Sequence, residues 1–329
     1  MAKLNYLIKR FLNMDHKEMF RRINRIHKKT GKSRLAIFND MRECAVRYGA
    51  GYSDYDLFEM YNLNDEQRNT YITRGRNDDL VKKYNDKQYM QYLDNKVEFN
   101  QRYGDFLKRE WIKVDGVDKN DVISFIERHD VFMAKPINGQ CGKGIEKIKV
   151  NDYESSQALY EYLINKDFLL EELIIQHDEV NKVYPGSINT VRVVTILKDG
   201  NPNIICAYFR IGNGKFVDNF NSGGMMSPVD IETGIVKHAA IDKMKNLYVT
   251  HPQTGYPIKG FKFPDWQQAL EMCKKASHIM PEVGYVGWDV GFSNKGPLLV
   301  EANEYPGHDI YQLPEHTPDK KGVWPLFNI

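Results

Sequence analysis

Gly287-Trp288-Asp289-Val290-Gly291-Phe292, followed across Ser293-Asn294-Lys295-Gly296-Pro297 by Leu298-Leu299-Val300-Glu301-Ala302-Asn303, is the stretch whose reading decides the fold. Two apolar runs joined by turn residues predict a β-hairpin. Each run carries oxygen-bearing side chains: Asp289 on the first, Glu301 and Asn303 on the second. Side chains repeat every second residue along a strand, so Glu301 and Asn303 share a face. Two carboxylates and a carboxamide suit a hard cation such as Mg2+, which takes oxygen ligands and completes its shell with water and phosphate. A buried hairpin with polar ends would show the same residues, so the neighbouring segments have to decide.

The chain of 329 residues is long enough for a large core and two or three lobes. Hydrophobic residues make up 42%, charged residues 27%, and the formal net charge is +2. This balance argues against global disorder and against a general nucleic-acid binder. No apolar run approaches the length of a membrane span, and the first residues lack the apolar core of a secretory signal, so a cytoplasmic location is expected. Cys44, Cys141, Cys206 and Cys273 lie far apart with no metal-ligand spacing and read as reduced thiols.

Charge is concentrated at the start. Residues 1–34 hold eleven Lys or Arg against Asp15 and Glu18, with Leu4, Leu7, Ile8, Phe11, Leu12, Met19, Phe20, Ile23 and Ile26 at helical spacing. This basic arm is expected to form one or two amphipathic helices. Its apolar face either docks on the rest of the protein or rests, with the charges, on an anionic membrane surface at the inner face of the membrane. Residues 35–93 read as helical and tyrosine-rich, broken at Gly49-Ala50-Gly51. From residue 94 onward short β-rich runs predominate. Val131–Pro136 and Gly144–Val150 read as strands, Phe168-Leu169-Leu170 as a strand ending at Glu171-Glu172, and Val191–Leu197 as pairing with Ile204–Ile211. Asp265–Met280 reads as a helix whose apolar face includes Trp266, Ala269, Leu270, Cys273, Ala276 and Ile279.

Between the first two of those strands lies Asn138-Gly139-Gln140-Cys141-Gly142-Lys143-Gly144. Its glycines permit close backbone approach, which lets a loop offer N–H groups to phosphate oxygens. The loop is neither a Walker A sequence nor GxGxxG. Lys135, at the end of the preceding strand, brings an ammonium within reach of nucleotide phosphates. Arg192 and Arg210 are candidate catalytic residues, since alternation turns both toward the hairpin carboxylates, where a guanidinium would offset charge on a transferred phosphoryl group. The alternative for each is a structural ion pair. Asn219, Gly223 and Gly224 form a small-residue loop that suits either close approach of a substrate or an irregular turn, and His308 and Asp309, whose alternative is acid/base chemistry, read as part of a capped tail.

A lysine before a glycine-rich hairpin, a strand running into an acidic pair, and then Asp-x11-Glu-x-Asn resemble, in this order, the ATP-grasp superfamily over roughly residues 90–305. Biotin carboxylase and D-alanine:D-alanine ligase are members. The resemblance implies an α+β fold of two lobes gripping ATP, preceded by a helical, basic region. It places the helical region at 1–93, a first lobe with glycine loop and adenine hinge at 94–175, and a second lobe with the metal hairpin and tail at 176–329. By the same resemblance Lys96 and Lys135 contact phosphates, Gly139, Gly142 and Gly144 belong to the loop that closes over them, Glu171, Glu172, Leu173 and Ile174 form the hinge, and Asp289, Glu301 and Asn303 hold Mg2+. Aspartate stands first where glutamate is commoner, which leaves one metal or two open.

Tyr48–Tyr55, Ser187–Arg192, Asp218–Gly224, His251-Pro252 and Gly287-Trp288-Asp289 further resemble the sugar-transfer-associated ATP-grasp family of capsule and exopolysaccharide biosynthesis. That resemblance implies an ATP- and Mg2+-dependent ligase that activates a carboxylate as an acyl-phosphate and joins it to an amine. The substrate would be a carboxylated sugar or glycan precursor, with no nucleic-acid partner. A kinase acting on a hydroxyl, or a nucleotide-binding module without catalysis, are the alternatives.

Overall fold

The computed structural model describes residues 14–139, 144–214 and 218–327. They fold as two compact units: one runs to Asp79 and takes in the segment from His308, the other runs from Leu80 to Gly307. Among the described residues no helix is long and apolar enough to cross a membrane.

The first unit is helical, with α1 (His16–Thr30), α2 (Arg34–Tyr48), α3 (Tyr52–Leu57) and α4 (Asp65–Asn69). Asp15 caps α1 by accepting from Glu18 N at 3.0 Å, and Gly31, at φ 73°, ends it in the left-handed conformation that glycine adopts without steric cost. Met19, Ile23 and Ile26 point inward and join Ile37, Met41, Tyr55, Phe58 and Tyr71 in one core. The apolar face of α1 therefore docks on the protein, as one of its two readings held, although Phe20 is left 54% exposed. The part of the arm before Met14 lies outside the described residues. Several of its charges are already paired: Arg22 with Glu18 (2.7 Å) and Asp56 (2.8 Å), Arg25 with Asp56, and Lys29 with Glu59 (2.5 Å). The C-terminal segment returns into this unit. Gln312 accepts from Ile72 N (3.1 Å), and His308, buried rather than a free tail residue, meets Asp54 at 3.0 Å.

After α5 (Arg74–Tyr84), α6 (Lys87–Asp94) and α7 (Lys96–Arg102), the second unit builds two antiparallel sheets. The smaller is formed by β1 (Trp111–Lys113), β2 (Val131–Pro136), β3 (Glu146–Lys149) and β4 (Phe168–Glu172), in the order β1-β4-β2-β3, with α8 (Lys119–Arg128) and α9 (Ser156–Leu163) covering one face. Alternation sends Phe132, Ala134, Leu170 and Ile148 toward those helices and leaves Lys135 and Glu171 on the open face.

Past α10 (Asp178–Val183), the larger sheet contains β5 (Val191–Lys198), β6 (Asn201–Ile211), β7 (Met225–Val229), β8 (Ala240–Asp242) and β9 (Leu247–Tyr248); α11 (Trp266–Ser277) leads to β10 (Tyr285–Ser293) and β11 (Gly296–Asn303). The strand order is β11-β10-β5-β6-β7-β8-β9. The expected pairing of β5 with β6 is present, turning at Asp199-Gly200, whose φ values of 50° and 77° are those a tight Asp-Gly hairpin requires. One face of this sheet, with Trp288, Val290, Phe292, Val193 and Phe209, packs on α11 and Phe263. Each such side chain contributes roughly 1.5–3 kcal/mol by leaving water. Trp288 satisfies its indole N–H with Thr195 Oγ1 at 2.8 Å. α11 is shorter than the sequence suggested: it ends at Ser277, and Ile279 is 41% exposed instead of lying on the packed face.

Candidate functional site

The opposite face of the larger sheet carries the candidate site. Its register aligns Tyr208, Arg192, Asp289 and Glu301 as one row across β6, β5, β10 and β11, with Asn303 opposite Gly287 in the next row. Residues directly opposed across antiparallel strands share a face, so the three proposed metal ligands converge. The convergence depends on a bulge. From the turn inward the pairs run Ser293–Gly296 to Val290–Leu299, and a regular ladder would next oppose Val300 to Asp289; instead the register shifts and Glu301 takes that place.

Asp289 is 1% exposed and is held by both arginines. Arg192 donates to it through Nε and through a second guanidinium nitrogen at 3.0 Å, and Arg210 donates from the neighbouring strand. Burial works against the charge on Asp289, but the two guanidinium groups outweigh it and hold the carboxyl well below the usual carboxylate range. Each arginine thus makes the ion pair that was one of its two readings, on the sheet face that carries the candidate ligands. Gly287 makes room for this, because a Cβ there would lie 2.8 Å from Arg192 Cδ.

Glu301 behaves in the opposite sense. Crowding by protein atoms and the neighbouring Asp289 carboxylate push it up to about 7. Its side chain opens to solvent, so water screens part of that push. A carboxylate that loses charge when left alone beside another is one a cation would stabilise. Asn303 supports the same reading, since its Nδ2 is buried with no hydrogen-bond partner. Turning the amide by half a turn would present Oδ1, an oxygen ligand, at that point. Among the described residues no set of three His, Cys, Asp or Glu could hold a metal.

The lysines lie on the smaller sheet's side of the same unit. Lys96 is the first residue of α7, capped by Asn95, and its Nζ donates to Gly139 O at 2.7 Å. Burial, with Lys135 adding to it and Glu301 opposing, draws Lys96 below the usual lysine range. The lysine therefore feels both the other ammonium and the hairpin carboxylate. Lys135 donates to Glu171 Oε2, and Glu171 Oε1 accepts from Arg109 (2.9 Å) and Asn100 (2.9 Å). Burial opposes the Glu171 charge too, yet Arg109 and Lys135 hold its carboxyl well below the usual range.

Glu171 is 3% exposed and committed to three partners, and Glu172 accepts from Glu110 N at 3.0 Å through one of its oxygens. Leu173 and Ile174 follow the end of β4 as half-buried, non-strand residues. Of the loop glycines, Gly139 meets Lys96, Gly144 has the left-handed φ of 74°, and Gly142 lies outside the described residues. The small-residue loop closes on itself: Gly224 N donates to Asn219 O, and a Cβ at Gly224 would collide with Asp218 O at 2.3 Å. Asp218 anchors it by accepting from Thr190 N (3.0 Å), Thr190 Oγ1 (2.5 Å) and Arg210 (3.1 Å).

Sequence reasoning missed Arg109, Asn100, Asp218 and Gly287 as individual participants. Asp218 and Gly287 stood inside quoted motifs without a role, whereas nothing local marks Arg109. Its guanidinium also donates to Leu299 O at 2.7 Å on β11, so it ties Glu171 to the larger sheet.

A family model described as sugar-transfer associated ATP-grasp matches residues 75–318. No curated protein matches the chain by sequence. Among solved structures, the ATP-grasp ligase PsnB, complexed with precursor peptide PsnA2 and AMPPNP, aligns at 15% identity over 68% of this chain and 54% of that one, with a TM-score of 0.42. N5-carboxyaminoimidazole synthase from Aspergillus clavatus aligns at 13% identity over 70% and 51%, TM-score 0.42. D-alanyl-alanine synthetase A from Vibrio cholerae aligns at 10% identity over 71% and 63%, TM-score 0.40. The chain thus spans about half to under two thirds of the length of these structures.

Proposed function

Because the chain belongs to the sugar-transfer-associated ATP-grasp family, we propose that it is an ATP- and Mg2+-dependent carboxylate-amine ligase. Its two gripping lobes would be residues 94–175 and 176–329. The observation that carries the reading is the row Arg192–Asp289–Glu301 with Asn303 beside it, two carboxylates and an amide backed by guanidinium groups on one sheet face. That donor set fits Mg2+, which would supply charge neutralisation at the nucleotide phosphates.

The chain's own residues have distinct tasks on this reading. Lys96 and Lys135 place positive charge where phosphates would lie, and Glu171 fixes Lys135 in that position. Arg192 and Arg210 hold Asp289 ionised and offer guanidinium N–H groups toward a carboxylate being phosphorylated. The acyl-phosphate that results would be opened by an amine, with phosphate leaving. No side-chain nucleophile is needed, and the described cysteines are poor ones: burial pushes Cys44 up to about 12 and pushes Cys206 and Cys273 higher still. The carboxylated sugar or glycan substrate, a role in capsule or other surface polysaccharide synthesis, a cytoplasmic location and contact of residues 1–34 with an anionic membrane are the finer parts of the proposal.

The test is a screen of uronic acids and other carboxylated sugars against amines, reading ADP release and product mass. ADP release that requires both a carboxylate and an amine, with an amide product, is the expected result. A phosphorylated product formed without an amine would replace the ligase by a kinase.

A further inference from the structure

We propose that the β8–β9 hairpin is a docking edge for an anionic lipid surface. β9 is the last strand in the order of the larger sheet. Leu247 and Val249, two residues apart and so on one side of the chain, are 55% and 59% exposed, and Met244 at the turn is 80% exposed. Lys243 and Lys245 flank Met244, both exposed. From Asp242 to Lys262 the chain holds four lysines (243, 245, 259 and 262) and one acid, Asp242, while Lys237 is already paired with Asp230.

That single acid is spent on the turn itself. The Asp242 carboxylate accepts from Met244 N (2.8 Å), Asn246 N (2.9 Å), Asn246 Nδ2 (2.9 Å) and Tyr248 OH (2.9 Å). The tip is therefore held in one shape, and its lysine charge is not neutralised from within. Lys245 sits at φ 68°, in the left-handed region where glycine or asparagine would cost less.

Edge lysines alone have a familiar role, since they discourage pairing with another sheet. Protection of an edge does not account for three large apolar side chains beside them, which would make the edge more adhesive. A shallow apolar insertion ringed by unneutralised ammonium groups is the chemistry that an anionic bilayer surface satisfies: hydrocarbon takes the apolar tips while phosphates meet the lysines. The proposal is independent of the ligase reading, because it uses none of the residues on the opposite edge of the sheet.

The full-length chain is sedimented with vesicles of phosphatidylcholine alone and of phosphatidylcholine mixed with phosphatidylglycerol. Binding is expected only to the anionic vesicles, falling with salt, and reduced at least about tenfold both by Met244→Asp with Leu247→Asp and by Lys243→Glu with Lys245→Glu. Thermal unfolding should be unchanged in both variants, because the side chains are exposed. Absence of binding to anionic vesicles overturns the proposal. So does binding that survives both hairpin variants yet disappears with Lys17→Glu, Arg21→Glu and Lys28→Glu in α1, which would place the contact on the basic arm. A dimer that the hairpin variants dissociate without lipid would instead make this edge an interface between copies.

Discussion

Asp289 faces Glu301 because Val300 is an extra residue in β11. The ladder is regular from the turn to Val290–Leu299 and then advances one residue on the β11 side alone. A strand's side chains alternate between faces, so a shift of one residue decides whether the second carboxylate joins the first or turns away. The same pair responds oppositely to being close: Asp289 is kept charged by Arg192 and Arg210, and Glu301 is pushed toward its neutral form.

Asp289→Asn and Glu301→Gln should therefore differ in stability while agreeing in function. Without Mg2+, Asp289→Asn removes the carboxylate that Arg192 grips through two nitrogens and one of the two carboxylates that Arg210 pairs with, and should cost about 3 kcal/mol or more. Glu301→Gln removes a repulsion and should be neutral or mildly stabilising. Both should abolish the Mg2+-dependent gain in ADP affinity. Denaturant unfolding and calorimetric titration check the pair; equal destabilisation, or ADP binding that keeps its Mg2+ dependence in both, would remove the assignment.

The Lys135–Glu171 pair should separate in the same manner. Lys135→Met keeps the Arg109–Glu171 bridge, so stability should change little while ADP affinity falls roughly ten- to hundredfold. Glu171→Gln should lower stability by about 3 kcal/mol, since Arg109 and Lys135 both lose their carboxylate. Were Glu171→Gln fully stable and Lys135→Met fully competent in binding, the bridge would have no part in either role.

Gly287→Ala should misplace Arg192 without touching any candidate ligand. The added Cβ meets the Arg192 side chain at 2.8 Å, and overpacking of this kind costs about 1–3 kcal/mol. Urea unfolding should show the loss, and turnover should fall with it. Unaltered stability would mean that Arg192 has another place to go.

His251 supplies a pH dependence. It is fully buried, its Nε2 lies 2.9 Å from Gly212 O, and its Nδ1 accepts from Gln253 N at 3.2 Å. Nε2 is therefore the protonated nitrogen of a neutral ring. Burial draws its folded-state value below the usual 6.5, only partly offset by the Gly212 bond. An imidazole depressed on folding binds protons more readily in the unfolded chain, so its contribution to stability is full above about 6.5 and is lost as pH falls toward the folded value. The melting temperature should drop more steeply between pH 6.5 and 5 in the natural chain than in His251→Gln. Parallel curves would show that His251 does not titrate on unfolding.

Much of the second unit was legible because its signals are local. The period-two runs, the Asp199-Gly200 turn and the apolar face of α11 up to Ala276 all rest on neighbours in the chain. The partners of Glu171 were not legible: Asn100 and Arg109 are 71 and 62 residues away, and no spacing rule connects them. His308 looked like a tail residue for the same reason, its partner Asp54 being 254 residues distant.

The sequence by itself determined which side chains can bind a cation and phosphates, since Asp289, Glu301, Asn303, Lys96 and Lys135 carry that chemistry wherever they lie. It also determined that the hairpin strands have one apolar face. Only the tertiary structure decided which of those groups are free to act. The Val300 bulge set the register, two arginines from other strands fixed the charge of Asp289, and Arg109 claimed Glu171. Ionisation and register both depend on atoms brought together across the fold, where burial raises the cost of an unpaired charge and an opposing charge removes it.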